Sequence, residues 1–427
     1  MKNAFRNFVC ALLALLLMVR GAVADGIIVD SLEAISAGRG GTNIAQSDNG
    51  GVILSNPSGI LNADSDGLAE IGAEGLITDL HYSNPLNNDV SAHDRPIALP
   101  AAAYFQKSDD GNWAYGIGFF APAGFAAGWD FRNSILGNQS YQSFGALVKI
   151  LPALAYRVTD KLTIGATLGV AISNADLRAP FYLDAGGIPV PARIGLEGWG
   201  VAPTWSAGLQ YQLTPATTLG VVYSSADRFK LDGHLNADVY GLAPVPIYSH
   251  FDSQMNIVWP QSVGIGIKQQ LTERQRVSCD VVWYDWSEAF RSIDLTLTNS
   301  SNPLFTELLG PTFHDSIPLD WMDSVSVHVG WEWFYSENNV LRAGYVYNSK
   351  EIPNSTLTPL IPAILEHTFT IGHGTTFYDT WHLDVAYQFA FGPEREVGTS
   401  ALVGGDFSES SVKAEAHWLA ISLTHTF

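Results

Sequence analysis

The sequence alternates apolar with polar or small residues over long stretches, and this period of two constrains the fold more than any other feature. In segments 325–333, 341–347 and 383–391, apolar side chains occupy every second position, with residues such as Ser326, Gly344 and Asp384 between them. Successive side chains of a β-strand point to opposite faces, so each segment has one apolar face and one polar or small face. The pattern therefore predicts strands that border an apolar phase on one side.

Fourteen such strands are predicted, and the connections between them alternate between short and long. The strands lie near 67–82, 97–107, 112–122, 146–158, 162–173, 199–213, 217–226, 258–271, 276–290, 323–335, 340–350, 367–377, 380–393 and 414–427. The even-numbered connections are short turns, at 108–111, 159–161, 214–216, 272–275, 336–339 and 378–379, and the others are long. Bacterial outer-membrane barrels have this arrangement, whereas a soluble β-sandwich does not require it. We therefore predict an all-β fold, a transmembrane antiparallel β-barrel of about 14 strands in the outer membrane of a Gram-negative bacterium.

The composition agrees with a chain that faces lipid. Only 15% of the 427 residues are charged, against about 25% in soluble proteins, and 47% are hydrophobic. Beyond the N-terminal region the sequence has no charge-free, strongly apolar run of about 18 residues, which excludes helical spans. With 22 basic against 42 acidic residues, the net charge is -20, so nucleic acid is excluded as a partner.

The first 24 residues have the pattern of a cleaved export signal. Lys2 and Arg6 precede an apolar core, 8–19, and Ala22 and Ala24 mark an A-x-A cleavage site. An N-terminal membrane anchor is the alternative, but the apolar core is too short to span a bilayer. The mature chain then keeps a single cysteine, Cys279, which excludes an internal disulfide and a cysteine-based metal cluster. We expect no metal and no cofactor.

Aromatic residues lie near the ends of the predicted strands, as the interfacial girdles of a membrane barrel require. The tryptophans are Trp199, Trp259, Trp283, Trp286, Trp331, Trp333, Trp381 and Trp418. The chain also ends within a strand on Phe427, which resembles the signal that such barrels present to the barrel assembly machinery. His425 departs from that signal, since an aromatic or apolar residue is usual there.

Residues 25–66 do not alternate and are rich in glycine. Composition alone leaves a flexible linker open, but the spaced apolar residues between Ile27 and Leu54 favour a compact plug. A barrel of fourteen strands is wide enough to leak unless its lumen is filled. We therefore divide the chain into a cleaved signal peptide (1–24), an N-terminal hatch or plug (25–66) and a transmembrane β-barrel (67–427).

The glycine-rich segment carries a family resemblance. Its hatch motifs are Gly38, Arg39, Gly40 and Gly41, then Asp48, then Asn56, Pro57, Ser58 and Gly59. In this order they resemble the hatch of the FadL-type (OMPP1/TodX) outer-membrane transporters, in which an Asn-Pro-Ala motif stands where this chain has Asn-Pro-Ser. The likeness continues through segments 120–129, 151–156, 219–225, 283–287 and 341–345 to the terminal Phe427.

The resemblance implies passive uptake of hydrophobic molecules, foremost long-chain fatty acids. Capture between extracellular loops, binding in the lumen and lateral release through a gap in the wall are the steps it implies. The gap requires a kinked strand, for which Ala121, Pro122 and Gly124 are the candidates. The alternative is that Pro122 simply ends the third strand.

Candidate ligand-binding residues follow from the same comparison and from apolar residues in the long connections. They are Phe119, Phe120, Phe125, Trp129, Phe181, Tyr182, Leu242, Ile247 and Tyr248, with Arg342 for a carboxylate headgroup. The loop residues could equally pack against one another. If the turn at 336–339 aligns the apolar faces of its two strands, Glu332 lies opposite Arg342, and a structural ion pair is the alternative to headgroup binding.

Four other functions are considered. The sequence lacks G-x-S-x-G and H-E-x-x-H motifs, so we do not expect an enzyme. A general diffusion porin, or a structural outer-membrane protein, would not need the plug. Aromatic or aliphatic hydrocarbons could use the fatty acid route, as relatives of this type carry toluene-like compounds. We expect a monomer whose partners are a hydrophobic ligand, outer-membrane lipid and the assembly machinery.

Overall fold

The computed structural model describes residues 27–93, 96–184, 188–241 and 244–427, so the expected signal peptide 1–24 lies outside the described residues. The described part contains strands β1 (Gly67–Asn84), β2 (Asn87–Ser91), β3 (Ile97–Lys107), β4 (Trp113–Asn133), β5 (Gly137–Thr159), β6 (Leu162–Asp184), β7 (Pro189–Thr214), β8 (Thr217–Ser224), β9 (Asp227–Val239), β10 (Ile247–Trp259), β11 (Ser262–Thr272), β12 (Gln275–Tyr284), β13 (Ser292–Thr298), β14 (Thr312–Pro318), β15 (Ser324–Ser336), β16 (Asn339–Asn348), β17 (His367–Phe377), β18 (Trp381–Phe391), β19 (Arg395–Val397) and β20 (Ser410–Thr426). Its helices are α1 (Ala34–Gly38), α2 (Val52–Ser55), α3 (Trp286–Ala289) and α4 (Pro303–Leu309), with 3-10 turns at Pro57–Asn62, Asn354–Thr356 and Val403–Gly405. None of these helices is long and apolar enough to cross a membrane.

The strands form a closed antiparallel barrel of fourteen strands, as the sequence predicts. Each wall strand pairs with the next along the chain, and β1 pairs with β20 from Leu68–Thr426 to Ser83–Ser411, which closes the ring. Two of the fourteen are split, because β8 continues into β9 and β10 into β11 after breaks at 225–226 and 260–261. The remaining strands, β2, β13, β14 and β19, belong to the long connections.

The predicted short turns are confirmed, but the predicted ends of several strands are wrong. Short hairpins join β3 to β4, β5 to β6, β7 to β8, β11 to β12, β15 to β16 and β17 to β18. Residues 174–198 and 227–257, expected to be loops, are largely the outer parts of β6, β7, β9 and β10. Conversely, the strand expected over 276–290 ends at Tyr284 and is followed by α3. The outer strands persist because alternation continues there: Leu231 and Leu235 point inward while Lys230 and His234 are exposed.

The outer surface carries large apolar side chains on alternate positions, as a lipid-facing wall requires. Ile71, Leu168 and Trp199 are examples, with 64%, 72% and 63% of their surface exposed. Two of the tryptophans expected in the girdles lie elsewhere, because Trp259 and Trp286 point inward and are buried. They belong to a cluster beneath the long connections, called the loop-side cluster below, which includes Tyr82, Trp129, Phe131, Tyr141, Trp259, Trp286, Phe290 and Trp321.

Residues 27–66, called the hatch below, lie within the barrel and are mostly buried. The hatch can approach the wall because both sides offer glycine. A Cβ atom on Gly344 of β16 would lie 2.2 Å from the backbone nitrogen of Gly40, and Gly40 itself has a φ of +68°, in the left-handed region. Glycine at these two positions lets the hatch backbone contact the wall directly.

Candidate functional site

A cavity of about 180 Å³ lies inside the barrel, on the side of the hatch that faces the long connections. Its wall is mainly apolar, because aliphatic side chains of β5, β8, β12 and the hatch contribute much of its surface. Leu32, Ile44, Leu54, Leu147, Val222 and Val282 are among the lining residues. Trp259 borders the cavity towards the loop-side cluster and donates its indole N–H to Ser173 Oγ over 3.1 Å.

One lysine lines this cavity, and it is paired. Lys149 Nζ of β5 lies 2.7 Å from Asp227 Oδ2 and donates to Thr204 Oγ1 over 3.3 Å. The side chain of Asp227 is 1% exposed, and its Oδ1 has no hydrogen-bond partner among the described residues. The wall therefore holds a buried ion pair in which one acceptor atom, Asp227 Oδ1, makes no hydrogen bond to the described residues.

The hatch adds further carboxylates to the cavity. Glu33 accepts a hydrogen bond from Ser36 N over 3.3 Å and so caps α1. Burial raises the pKa of the Glu33 carboxyl to about 7. Below neutral pH this carboxyl is therefore protonated, and the cavity wall carries less negative charge. Asp30 also borders the cavity, where Asn348 and Thr368 donate to its two carboxylate oxygens over 3.3 and 3.2 Å.

The barrel wall changes its pairing where it borders the cavity. The ladder between β3 and β4 stops at the pair Ala101–Phe120, and the register between β4 and β5 shifts between Phe120 and Ala123. Beyond this point β4 forms backbone hydrogen bonds with the first described residues of the hatch instead of with β3. Val29 N donates to Pro122 O over 3.0 Å, and Gly124 N donates to Ile27 O over 2.9 Å. Ile28 forms an isolated antiparallel bridge with Ala123.

The predicted kink residues Ala121, Pro122 and Gly124 thus lie at an irregular part of the wall. Pro122 does not end the strand, since β4 continues to Asn133. Pro122 lines the cavity together with Ala123, so the cavity reaches the wall at the point where the hatch replaces a neighbouring strand.

A network of charges fastens the other side of the hatch to the barrel. Arg39, fully buried, donates from both terminal nitrogens to Asp48 over 2.9 Å and from Nη1 to Glu332 over 3.3 Å. Arg276 of β12 lies 2.6 Å from Asp48 and 2.5 Å from Glu332. Burial opposes ionisation of Asp48, but Arg39 and Arg276 outweigh it and hold the pKa of its carboxyl well below the usual range.

Arg342 belongs to this network and does not line the cavity. The cross-strand pair with Glu332 is confirmed, with Arg342 Nε donating over 3.1 Å. Its Nη1 also donates to Asp384 over 2.5 Å. Three arginines, Arg39, Arg276 and Arg342, therefore meet three carboxylates, Asp48, Glu332 and Asp384, at the junction of hatch and barrel.

The Asn-Pro-Ser-Gly motif forms a second anchor of the hatch. Asn56 Nδ2 donates to the carbonyls of Ile44 and Leu209, over 2.8 and 3.0 Å, and thereby joins the hatch to β7. Its Oδ1 accepts from Ser58 Oγ over 2.7 Å and caps the 3-10 turn that begins with Pro57. The remaining motif glycines allow close packing: a Cβ on Gly59 would lie 2.7 Å from Gln46 O, and one on Gly38 would lie 2.9 Å from Gly372 Cα.

The described aromatic candidates do not line the cavity. Phe119 points out of the barrel, with 37% of its surface exposed, whereas Phe120 packs under the hatch beside Ile53. Phe125 and Trp129 pack in the loop-side cluster, where the Trp129 N–H donates to Pro359 O over 2.9 Å.

The loop candidates lie near the ends of the long hairpins. Phe181 and Ile247 pack against the loop-side cluster, and Tyr182 packs beside Gly404. Tyr248 is 54% exposed and donates its hydroxyl to Asn236 Oδ1. Leu242 lies outside the described residues. Mutual packing therefore accounts for most of these side chains, and Tyr248 stays exposed.

Sequence reasoning missed Lys149 and Asp227, the polar centre of the cavity. A signal was present for Lys149, because it stands between Val148 and Ile150 in a predicted strand. Outward side chains there face lipid, so a cation between them has to point into the lumen. No comparable signal shows that Asp227 would meet it, since the break at 225–226 shifts that strand.

A closed barrel with an internal hatch and a mainly apolar cavity that reaches its wall is the architecture of an outer-membrane transport protein for hydrophobic compounds. The sequence pattern of the family described as "Outer membrane protein transport protein (OMPP1/FadL/TodX)" matches residues 15–427, so the chain belongs to this family, which consists of transporters and not of enzymes. A comparison with curated protein sequences finds no significant match.

Solved structures show the same fold. A FadL homologue of Pseudomonas aeruginosa has a TM-score of 0.77 at 19% identity, over 94% of this chain and 100% of that one. The toluene transporter TodX of Pseudomonas putida has a TM-score of 0.76 at 20% identity, over 94% and 100%. The toluene transporter TbuX of Ralstonia pickettii has a TM-score of 0.73 at 18% identity, over 93% and 99%.

Proposed function

We propose that this chain imports small uncharged hydrocarbons, such as single-ring aromatics, which bind in the cavity above the hatch and leave sideways into the membrane. The observation that carries the proposal is the cavity, with its mainly apolar wall and a volume of about 180 Å³. An engineered apolar cavity of about 150 Å³ in another protein binds benzene. A cavity of this size matches one aromatic ring with a small substituent, whereas a long alkyl chain requires the hatch to move.

The charges around the cavity support an uncharged ligand. Asp30, Glu33 and Asp227 border it, and its single lysine, Lys149, is already neutralised by Asp227 at 2.7 Å. A ligand carboxylate would add a negative charge to a wall with an acidic excess, and desolvating that charge is costly. The toluene transporters among the similar structures also favour this class of cargo.

A long-chain fatty acid, the cargo expected from the sequence, is the second candidate. The observation that favours it is Lys149, an ammonium group on the wall of a mainly apolar cavity. To bind a carboxylate, this group would have to leave Asp227, whose free Oδ1 shows that the pair is not fully satisfied.

Binding to the purified chain in detergent separates the two cargoes. We expect saturable binding of toluene, weaker binding of oleate, and an oleate affinity that rises in D227N because this substitution frees Lys149. K149M should weaken oleate far more than toluene, with K161M, a change in an exposed turn, as the control. Tight, Lys149-dependent oleate binding without toluene binding would refute the hydrocarbon proposal. Mass spectrometry of the molecule that co-purifies with the chain tests the same point independently.

Capture begins, in this proposal, at the tips of the long hairpins. Ile188, Val245 and Tyr248 are 66%, 68% and 54% exposed there, which supports an apolar landing surface. The inward side chains below them lead through the loop-side cluster towards Trp259 and the cavity.

Lateral release is the last step, and residues 27–29 occupy its path. An apolar ligand gains about 0.8 kcal/mol per CH2 group by avoiding water, so a direct exit into lipid is favourable. Because Val29 and Ile27 bond to Pro122 and Gly124, the exit opens only when this part of the hatch leaves the wall.

A reversible lock tests the exit. Ile28 and Ala123 face each other in an antiparallel bridge, a geometry within the range that a disulfide spans, and Cys279 is buried and should not interfere. We expect the I28C/A123C double variant to lose uptake of labelled toluene by cells under oxidising conditions and to regain it on reduction. The single variant A123C is the control. Full uptake through the oxidised double variant would refute this exit while leaving the cargo open.

A further inference from the structure

A group of metal-ligating side chains lies outside the transport path, on the outward face of the hairpin β9–β10. His234 of β9 and Asp252 of β10 are direct cross-strand partners, and His250 is two residues before Asp252 on the same face. One potential ligand atom from each of the three lies within 4.8 Å of the others. The imidazole nitrogen Nδ1 of His234 is 3.6 Å from Asp252 Oδ1, and the two imidazole rings are 5.1 Å apart.

The group faces solvent, because β9 and β10 send their apolar side chains into the barrel. Leu231, Leu235 and Phe251 are buried, whereas the side chains of His234 and Asp252 are about half exposed, at 53% and 51%. A dissolved ion can therefore reach the three side chains without passing the hatch or the loop-side cluster.

Neighbouring amides orient two of the three ligands. Asn236 Oδ1 lies 2.9 Å from His250 Nδ1, which favours the tautomer that carries its proton on Nδ1 and leaves Nε2 free to bind a metal. Asn299 Nδ2 donates to Asp252 Oδ2 over 2.7 Å, so Oδ1 remains on the side of His234. Metal sites use such outer hydrogen bonds to hold histidine and carboxylate ligands in place.

The side chains need to move little to close on an ion. Zn–N and Zn–O bonds of about 2.0–2.1 Å place neighbouring ligands of a tetrahedral ion about 3.3 Å apart. The present spread of up to 4.8 Å exceeds this by about 1.5 Å, which exposed side chains can cover by rotation about χ1 and χ2. Two imidazoles and one carboxylate favour Zn²⁺, Cu²⁺ or Ni²⁺ over the hard ions Ca²⁺ and Mg²⁺.

We propose that His234, His250 and Asp252 form a surface site for a divalent transition-metal ion, with Zn²⁺ the ion to test. Three protein ligands leave the fourth position of a tetrahedral ion to water. Glu197, the cross-strand partner of His234 on β7, is exposed and adds negative charge near the site that favours a cation. A bound ion adds a further link between β9 and β10, beside the backbone ladder and the side-chain contact of Asn236 with His250.

Calorimetry on the full chain, purified in detergent without a polyhistidine tag and stripped of metal, tests the proposal. We expect one Zn²⁺ per chain and no displacement of it by equimolar Ca²⁺. H234A, H250A and D252N should each weaken Zn²⁺ binding at least tenfold. N236A, which removes the orienting amide of His250, should weaken it by about 10- to 100-fold, the usual cost of losing such a partner.

The matched control is H314A, which removes another exposed histidine, on β14, hydrogen-bonded to Thr296. This variant should bind Zn²⁺ as the unmodified chain does, and the heat-dependent mobility of every variant on a denaturing gel should show a folded barrel. The proposal is overturned if the unmodified chain binds no Zn²⁺, or if folded H234A and H250A keep its affinity. A loss in H314A equal to that in H234A would also overturn it.

Discussion

Removing the buried guanidinium of Arg39 should loosen the hatch without unfolding the barrel. Arg39 makes five hydrogen bonds, to Thr42 O, Asn43 Oδ1, both oxygens of Asp48 and Glu332 Oε1. All acceptors except Glu332 belong to the hatch, so R39A weakens both its internal structure and its attachment to the wall.

The expected magnitude follows from what remains after the substitution. Removing one partner of a buried ion pair costs about 3–5 kcal/mol. Arg276 still holds Asp48 and Glu332, and Arg342 still holds Glu332, so we expect the lower end of this range. A loss of about 3 kcal/mol raises the population of the detached hatch by roughly 100-fold, since about 1.4 kcal/mol corresponds to a factor of ten.

Hydrogen exchange followed by mass spectrometry measures this population. Amides in 34–62 should exchange roughly 100-fold faster in R39A, and the wall strands should keep their rates. Exchange rates of the hatch in R39K should lie between those of the unmodified chain and those of R39A. An ammonium group keeps the charge but cannot bond both oxygens of Asp48 as the planar guanidinium does. R178A is the control, since Arg178 is 60% exposed and its pair with Asp176 contributes little. Unchanged exchange in the hatch of R39A would refute the role we assign to the network.

Three further predictions concern the hatch. G344A places a methyl group 2.2 Å from Gly40 N and should displace the hatch, seen as ion conductance in planar bilayers, whereas G195A, with its nearest neighbouring atom at 4.0 Å, should stay closed. N56A removes two hydrogen bonds to backbone carbonyls and should speed hydrogen exchange in 44–62 by roughly 30-fold, since two bonds at roughly 1 kcal/mol each amount to about 2 kcal/mol. Because the folded hatch raises the pKa of Glu33 from 4.5 to about 7, the contribution of Glu33 to hatch stability is greatest below pH 4.5 and is lost as the pH rises through 7. E33Q should remove this contribution, so that exchange rates in 34–62, corrected for intrinsic exchange, rise less between pH 5 and pH 8 than in the unmodified chain. Equal pH dependence in the variant would contradict the assignment.

Much of the barrel follows from the sequence because lipid enforces a simple rule. Outward side chains must be apolar, whereas inward ones need not be, so the strands can be recognised and counted. The turns at one end are short, so the register within each hairpin can also be predicted. The pair Glu332–Arg342 shows how far this reaches: the turn at 336–339 fixes the register, and the structure confirms the pairing.

The same rule cannot show where a strand leaves the membrane, where it ends, or which course a long connection takes. Alternation continues through the outer parts of β6, β7, β9 and β10, where the outward face meets water and not lipid, so the observed strands extend beyond their predicted ends. Trp259 and Trp286 have the spacing of girdle residues but point inward, because the breaks and turns around them reverse the face. The cavity combines residues from the hatch and at least four strands, and no local pattern brings them together.

The acidic composition bears directly on the choice of cargo. The sequence has 42 acidic and 22 basic residues, and each of the four lumenal cations considered above already has a carboxylate from the chain itself. Arg342 illustrates the consequence: its position was predicted well enough to suggest a headgroup site, yet Glu332 and Asp384 occupy it. For a fatty acid to bind at Lys149, its carboxylate would have to displace Asp227, whose side chain is buried, and then leave that acid unpaired. Truncating one side of a buried pair in this way is strongly unfavourable, whereas a neutral ring in the same cavity leaves the pair intact. The pairing of the lumenal cations with carboxylates of the chain thus supports the proposal of an uncharged cargo, and the ion pairs of Arg39 and Arg276 also attach the hatch to the wall.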